Sequence, residues 1–445
     1  MGVRETQIDT TLTRILCLFT LLLVACTWRL WFAVSDFPMV PWLDIPTAWA
    51  SWVLHADRLA AFVLIATLST PLTLALISSR SPATVRLWSH RALLVAVLSA
   101  SWLMFTNQHR VQPWAYHFLL SGYVLLVLPS NRARNLLLAL LVSVYAFSAW
   151  NKFDHRFLAT TGELMVRTAV GWFRPDVAKL PAGYFARAAL ALPLGEALLA
   201  GGLAVPATRG AARVLAIFLH GSLLMVLGPW GLGQRVGVLV WNVSFATQAC
   251  YLASQSAGRR LEPSPGMEPE APRHGWTLLP LLVALTMPAL EPWGMWDHWP
   301  SWGLYSARAG RLELLLSGEA AARLGPAMKD FLDPRVVDGA WQRLALDRWS
   351  LERLDAPLYP QTRFQWGVCQ AVMKDLPQGS GPVIIVEYLA PERTTGRMER
   401  RIWGDDASIR QAIGRFWFNT RPRATAMSAS SFEAYEEGQS GQSFE

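Results

Sequence analysis

Charge, cysteine and lysine are all scarce in this sequence, and each scarcity excludes something. Only 16% of the 445 residues are charged while 52% are hydrophobic, below the charged share and above the apolar share of soluble domains. An ordinary water-soluble globule is excluded, because the apolar excess has to be buried somewhere. The four cysteines, Cys17, Cys26, Cys250 and Cys369, form no CxxC or metal-type spacing, which leaves no readable disulfide framework or zinc site. Lysine occurs four times against 36 arginines. A Gly-rich phosphate loop, a nucleophile elbow, a metal-ligand cluster and a Rossmann fingerprint are also missing, so no metal is expected. There is no internal repeat with paired broken helices, which speaks against a transporter.

What is present is a series of apolar runs that continues to about Leu290 and then stops. Nine helices are expected: Ile15 to Phe32, Leu59 to Ile77, Ala92 to Phe105, Trp114 to Leu128, Leu136 to Ala149, Tyr184 to Val205, Ala212 to Leu227, Val236 to Ala253 and Trp276 to Leu290. The third, fifth and ninth are short against the ~20 residues that cross a bilayer, so seven to ten spans are compatible with the pattern. Arg4 and Arg14 precede the first run without a small-x-small cleavage site, which reads as a first transmembrane helix rather than a signal peptide. Several of the 22 tryptophans, including Trp28, Trp114, Trp150 and Trp241, sit at the ends of runs, where they anchor helices at the membrane interface.

The net charge of +8 does not indicate nucleic acid, because the basic residues sit in short loops between apolar runs. Twelve arginines, among them Arg14, Arg86, Arg91, Arg132, Arg134, Arg209 and Arg213, fall in one set of alternate segments. The opposite short loops offer little beyond Arg29, Arg58, Arg110 and Arg235. The N-terminus is therefore expected in the cytoplasm, and nine spans place the C-terminal part outside. The arginine excess fits a GC-rich bacterial genome, so the expected location is the bacterial inner membrane. The long connection from Trp150 to Gly183 is basic on the outer side, and Glu163 to Phe173 has the spacing of an interfacial amphipathic helix.

Beyond Leu290 the period changes. Leu312 to Leu316, Val383 to Leu389 and Arg397 to Trp403 read as strands, the last entered through the polar turn Glu392 to Gly396. Phe364, Val368, Ala371 and Val372 after Pro360 mark one amphipathic helix, and Ile409, Ile413 and Phe416 another begun near Asp405 and Asp406. The expected fold is thus an all-α polytopic membrane helix bundle over 1–291, then a small extracytoplasmic α+β domain over 292–425. Leu261 to Pro272 is a polar linker, and composition predicts a disordered tail over 426–445.

Ionisable groups in or beside a span are expensive and are functional candidates by default. Asn107, His109, Lys152, Asp154, Glu196 and His220 qualify. Lys152 closes the fifth run in Trp-Asn-Lys-Phe-Asp, where a lysine can simply snorkel to the headgroups. In a chain so rich in arginine an anchor would more naturally be Arg, and lysine alone of the two can become a base through desolvation. Glu196 lies in mid-span beside Pro193 and Gly195, and His220 is similarly deep. A Glu196–His220 contact that holds helices together is the simplest pairing. Asn107 and His109 share the outer side with Lys152. Asn242, beside Trp241, reads as a residue that bridges helices.

These motifs carry a resemblance. The Arg-led first helix and Pro-rich loop (Arg14 to Pro46), the run Trp-Asn-Lys-Phe-Asp with Gly162 beyond it, and the Glu196 and His220 helices resemble the vitamin K-dependent γ-carboxylase-like, or HTTM, membrane superfamily over roughly Thr11 to Leu290. The resemblance implies that Lys152 matches the proposed base of the carboxylases and Asp154 the aspartate that follows it. Asn107 and His109 match their Asn-His pair loosely. It implies a reduced quinone as the group that the lysine deprotonates, and a glutamate side chain as the group carboxylated. Lys152, His109 and Asp154 are then the catalytic candidates, and Asn107, Glu196 and His220 the candidates for binding the quinone.

Two readings follow. In one, the chain is a γ-carboxylase-like membrane enzyme acting on a quinone or peptide with Lys152 as base. In the other, it is a non-enzymatic membrane protein that binds, matures or exports a peptide partner, with Lys152, Glu196 and His220 as structural contacts. A cavity at Lys152 favours the first, and a Lys152 directed at lipid headgroups the second.

Overall fold

A computed structural model describes residues 9–33, 36–77, 81–257, 275–306, 308–337 and 339–423. The linker Leu261 to Pro272 and the tail 426–445 lie outside them. The helical part comprises α1 (Thr10–Cys26), α2 (Trp28–Phe32), α3 (Ala50–Leu76), α4 (Pro82–Thr106), α5 (Pro113–Val127), α6 (Ser130–Lys152), α7 (His155–Ala159), α8 (Thr161–Gly171), α9 (Ala191–Ala204), α10 (Arg209–Leu227), α11 (Val236–Ala257) and α12 (Leu279–Thr286). Among the described residues, five stretches are long and apolar enough to cross a membrane: Thr47–Leu76, Pro82–Thr106, Ser130–Lys152, Pro206–Leu227 and Val236–Ser254. Thr10–Cys26, Pro113–Val127, Ala188–Ala204 and Leu279–Trp293 are apolar but shorter. These lengths and compositions suit a multi-pass membrane protein.

The helices outrun the apolar runs, because their polar ends are helical too. α4 begins at Pro82 with Ser81 as its cap, the Ser81 hydroxyl accepting from the Thr84 amide at 3.3 Å. A cap followed by proline at the first helical position is a favoured helix start. α6 begins at Ser130, so Arg132 and Arg134 lie inside a helix rather than in a loop. Arg134 pairs there with the buried Asp9, the N-cap of α1, at 2.5 Å. α9 begins later than its apolar run, because 184–187 form turns and Ala188–Leu190 a 3-10 turn.

The connection from Trp150 to Gly183 spends much of its charge on itself. Arg167 pairs with Glu163 one turn away at 2.6 Å and also donates to the carbonyls of Ala178, Leu180 and Pro181. Glu163 in turn accepts from the Gly183 amide. The loop is thereby tied together by its own charged groups, with Leu164, Phe173 and Tyr184 exposed as its apolar face.

The C-terminal part contains β1 (Arg311–Ser317), α13 (Gly318–Arg323), α14 (Pro326–Lys329), β2 (Leu332–Val337), β3 (Trp341–Leu344), α15 (Leu346–Leu354), α16 (Thr362–Asp375), β4 (Val383–Tyr388), β5 (Arg400–Trp403) and α17 (Asp406–Gly414). The strands form an antiparallel sheet in the order β2-β3-β1-β4-β5. Leu312, Leu314 and Leu316 alternate into the core of the central strand β1. β2 is an edge strand, and its pairing with β3 shifts register between Leu332 and Val336, around Pro334. Proline has no N–H to give to a ladder and is tolerated at an edge or bulge.

This sheet domain does not stand apart. The stretch 39–42 is stitched on both sides, Val40 and Phe105 carbonyls pairing with the amides of Gln108 and Trp42, and Trp42 and Met39 carbonyls accepting from Asn419 and Arg423. Gly367 on α16 is required by this approach, since a Cβ there would meet Val40 Cγ2 at 2.5 Å and the Thr420 carbonyl at 2.8 Å. Further contacts join Phe37 to Trp349, His155 to Arg393, and Arg29 and Arg235 to Asp355. These helix-side partners lie in or beside the connections between the long apolar helices.

Candidate functional site

Lys152 is the last residue of α6 and is only 4% exposed. It does not reach for the headgroups. Its ammonium donates to Ser148 Oγ at 2.7 Å, one turn back, and to both carboxylate oxygens of Glu196 on α9 at 2.6 and 2.7 Å. Position i, i+3, i+7 spacing puts Tyr145, Ser148 and Lys152 on one face of α6. That face is the wall of a cavity of about 50 Å³. Glu196, His220 of α10, Asn242 of α11 and Tyr305 add to its polar lining.

A second polar row runs beside the ion pair. The Tyr145 hydroxyl lies 2.7 Å from His220 Nε2, His220 Nδ1 lies 3.0 Å from Asn242 Oδ1, and Asn242 Nδ2 donates to the Val238 carbonyl at 2.9 Å. The amide of Asn242 is oriented by that last bond, so its oxygen faces the imidazole. Only an Nδ1–H can satisfy it. When neutral, His220 is therefore the Nδ1–H tautomer, with the Nε2 lone pair accepting from Tyr145.

Apolar groups fill the remainder. Val144, Phe157, Met165, Leu219 and Phe245 are buried walls, while Leu192, Leu223, Trp241, Leu304 and the ring of Tyr305 are partly exposed and form the rim. An apolar cavity of about 150 Å³ admits a benzene ring, roughly three times the present volume. A ring-sized ligand thus requires rim side chains to turn aside.

The sequence candidates separate into two places. Lys152, Glu196 and His220 share the cavity. Glu196 pairs with Lys152 rather than with His220, because Lys152 supplies a full charge at the same depth. Asn107 and His109 do not line it. Asn107 Oδ1 accepts from the His109 amide at 3.1 Å, and His109 Nε2 donates to the Pro357 carbonyl at 2.9 Å, with Phe37 and Phe364 packed on the ring. His109 is a tie between the helices and the sheet domain, and its burial pulls its pKa from 6.5 down to about 4. Asp154 caps α7 through the Phe157 amide at 3.0 Å and has Arg308 at 3.8 Å. It acts on the cavity only by fixing Phe157, which is one of its walls.

Tyr145 and Ser148 carry no charge and sit in an apolar run, so the rule that singles out ionisable groups passed over them. Their signal was spacing, three and seven residues before Lys152. Among the described residues no group of His, Cys, Asp and Glu is placed to hold a metal ion. Compared with protein-family models, with curated proteins and with solved structures, the chain matches none.

Proposed function

We propose that the cavity is the active site of a membrane-embedded enzyme that abstracts a proton from an acidic hydroxyl on an apolar ring, of the γ-carboxylase-like kind that the motifs around Lys152 resemble. The observation that carries this reading is the burial of Lys152 in a lined cavity with its charge held by Glu196. A lysine that served only as an anchor would extend to the headgroups. The partly exposed apolar rim suits a hydrophobic ligand arriving from the bilayer, and the polar side of the cavity, with Lys152, Tyr145 and His220, suits its oxygen. A reduced quinone fits this description and would supply the acidic hydroxyl. The reading also keeps the orientation that loop charge implies, with the N-terminus in the cytoplasm and the sheet domain outside a bacterial inner membrane.

The test is turnover of a reduced naphthoquinone by purified protein in lipid nanodiscs under oxygen, wild type against Lys152→Ala. The variant is expected to lose about 100-fold or more, the usual scale of a general acid–base contribution. Equal rates, or no rate in either, would sink the reading. Orientation is tested by labelling a Glu399→Cys variant in whole cells with an impermeant maleimide, which should react without permeabilisation.

One observation favours the non-enzymatic alternative, that of a membrane protein binding a peptide partner. Every N–H of Lys152 already has an acceptor, as a purely structural tie between α6 and α9 would. In that case Lys152→Ala lowers stability and changes no turnover.

A further inference from the structure

We infer that the two polar rows of the cavity divide the acid–base work: Lys152 faces the ligand as a fixed positive charge, and His220 is the base, receiving the proton through Tyr145. This division rests on the reading of the cavity as an enzyme site and changes which group does the deprotonation.

The first support is donor counting. A lysine ammonium has three N–H groups and no lone pair. Lys152 Nζ has three acceptor atoms at hydrogen-bond distance, Ser148 Oγ and the two oxygens of Glu196. A lysine base must first lose a proton, and here the only acid–base partner to receive it is Glu196, which would abolish the ion pair that holds both groups. Coulomb attraction at these distances in a low-dielectric site makes that exchange costly. Lys152 is instead suited to stabilise a negative charge that forms beside it.

The second support is the tautomer. Asn242 is oriented by its bond to Val238, which fixes a proton on His220 Nδ1 and, in the neutral ring, leaves the lone pair on Nε2. That lone pair is engaged by the Tyr145 hydroxyl at 2.7 Å, and both residues line the cavity. A base in the resting molecule therefore exists, reached through one phenol, with an amide oxygen behind it that continues to accept Nδ1–H when the ring becomes imidazolium. The charged groups facing His220 are Glu196 and Lys152, one of each sign.

The step balances without an oxidant. The ligand O–H bond breaks and its electron pair stays on the ligand oxygen, opposite Lys152. The released proton bonds to the Tyr145 oxygen while the Tyr145 proton moves to His220 Nε2. The products are a ligand oxyanion and a His220 imidazolium, with no net change of charge. Arginine can hold an anion but cannot serve as a base, which gives the division a direct test.

Turnover of a reduced naphthoquinone in nanodiscs is measured for wild type, Lys152→Arg, Lys152→Met, His220→Gln, Tyr145→Phe and Glu196→Gln. Lys152→Arg is expected to remain within about 10-fold of wild type, while Lys152→Met, His220→Gln and Tyr145→Phe each lose about 100-fold or more. If Lys152→Arg is as inactive as Lys152→Met and His220→Gln remains active, lysine is the base and the division is wrong. Loss in Glu196→Gln with an active His220→Gln makes the carboxylate the base and is equally fatal. Because Arg in a closed site can fail to fold, ¹⁵N spectra of lysine- and histidine-labelled protein in bilayers give an independent measure. At neutral pH they should show Lys152 charged and His220 neutral with Nδ1 protonated, the Nε2 signal moving in Tyr145→Phe. A neutral Lys152 amine or an Nε2–H tautomer overturns the division whatever the turnover. Absence of turnover in the wild type, with these spectra as expected, counts against the enzyme reading and leaves the hydrogen-bond assignment standing.

Discussion

Burial keeps His109 neutral, and that links stability to pH. The imidazole is fully enclosed and donates to the Pro357 carbonyl, and burial lowers its pKa from 6.5 to about 4. A depressed pKa means that the unfolded chain binds the proton more readily than the folded one. The contribution of His109 is therefore complete above about pH 6.5, declines as pH falls and is gone near pH 4, for a total of roughly 3 kcal/mol. Thermal unfolding of the solubilised protein should show this loss between about pH 6.5 and pH 4, and His109→Gln should remove most of the pH dependence over that window. An unchanged slope in the variant would assign it elsewhere. At this scale the sequence was partly legible. The expense of placing Lys152, Glu196 and His220 in spans was visible from residue type alone, and the three do share a cavity. His109 and Asn107 had the same signal and a different fate, because lying on the same side of a membrane says nothing about which loop a side chain turns toward.

At the scale of elements, Arg110 shows how a loop residue can close helices. Its guanidinium donates to the carbonyls of Leu30 and Trp31 at the end of α2 and to Leu103 in the last turn of α4. These are carbonyls near helix C-termini, where orphan acceptors and the helix dipole favour a cation. Asp57 on α3 supplies the counter-charge at 2.9 Å, and the same carboxylate accepts from Arg423, Thr106 and Trp102. All three charged groups are buried. Asp57→Ala would leave two arginines enclosed without an anion and is expected to cost about 3–5 kcal/mol. The triple variant Asp57→Ala, Arg110→Met, Arg423→Met should be less destabilised than Asp57→Ala alone, since no unpaired charge remains. Chemical unfolding of the three proteins would decide; a triple variant that is the weakest excludes charge imbalance as the cause. The elements themselves were legible where pattern was strong. β1 and β4 fall on their apolar runs, β5 on the segment after the polar turn Glu392 to Gly396, and α16 and α17 on their helical spacings, whereas β2 and β3 were not read, because β2 contains Pro334 between charged neighbours and β3, Trp-Gln-Arg-Leu, has no apolar run.

At the scale of the whole molecule, the sheet domain and the helices form a continuous hydrophobic core, which no local pattern reveals because the contacts join residues hundreds of positions apart. Arg363 of α16 is the centre of this seam. It holds Asp297 with both terminal nitrogens, donates through Nε to Gln108 at 2.9 Å, and lies over the rings of Trp42 and Phe418 at 4.5 and 5.6 Å. Asp297 also accepts from Tyr359 at 2.6 Å, and burial together with this carboxylate pushes the phenol pKa well up. Gln108 in turn donates to the carbonyls of Pro41 and Asn419, so one guanidinium ties the α4–α5 loop, the stretch 41–42 and the segment around Asn419. Lysine cannot replace it, having neither the planar fork nor the stacking face. Arg363→Lys should therefore raise hydrogen exchange together in 39–42, 105–112 and 419–423, with the sheet strands β1 and β4 unaffected. A rise confined to α16 would mean that the seam is held by apolar packing and that the arginine is only a local cap. A joint rise also predicts a consequence at the cavity, since the same domain is bonded to the first residue of α7, just past the end of α6, through the His155 amide and the Arg393 carbonyl. Loosening the seam should then increase exchange at Lys152 and its neighbours, although Arg363 touches none of them.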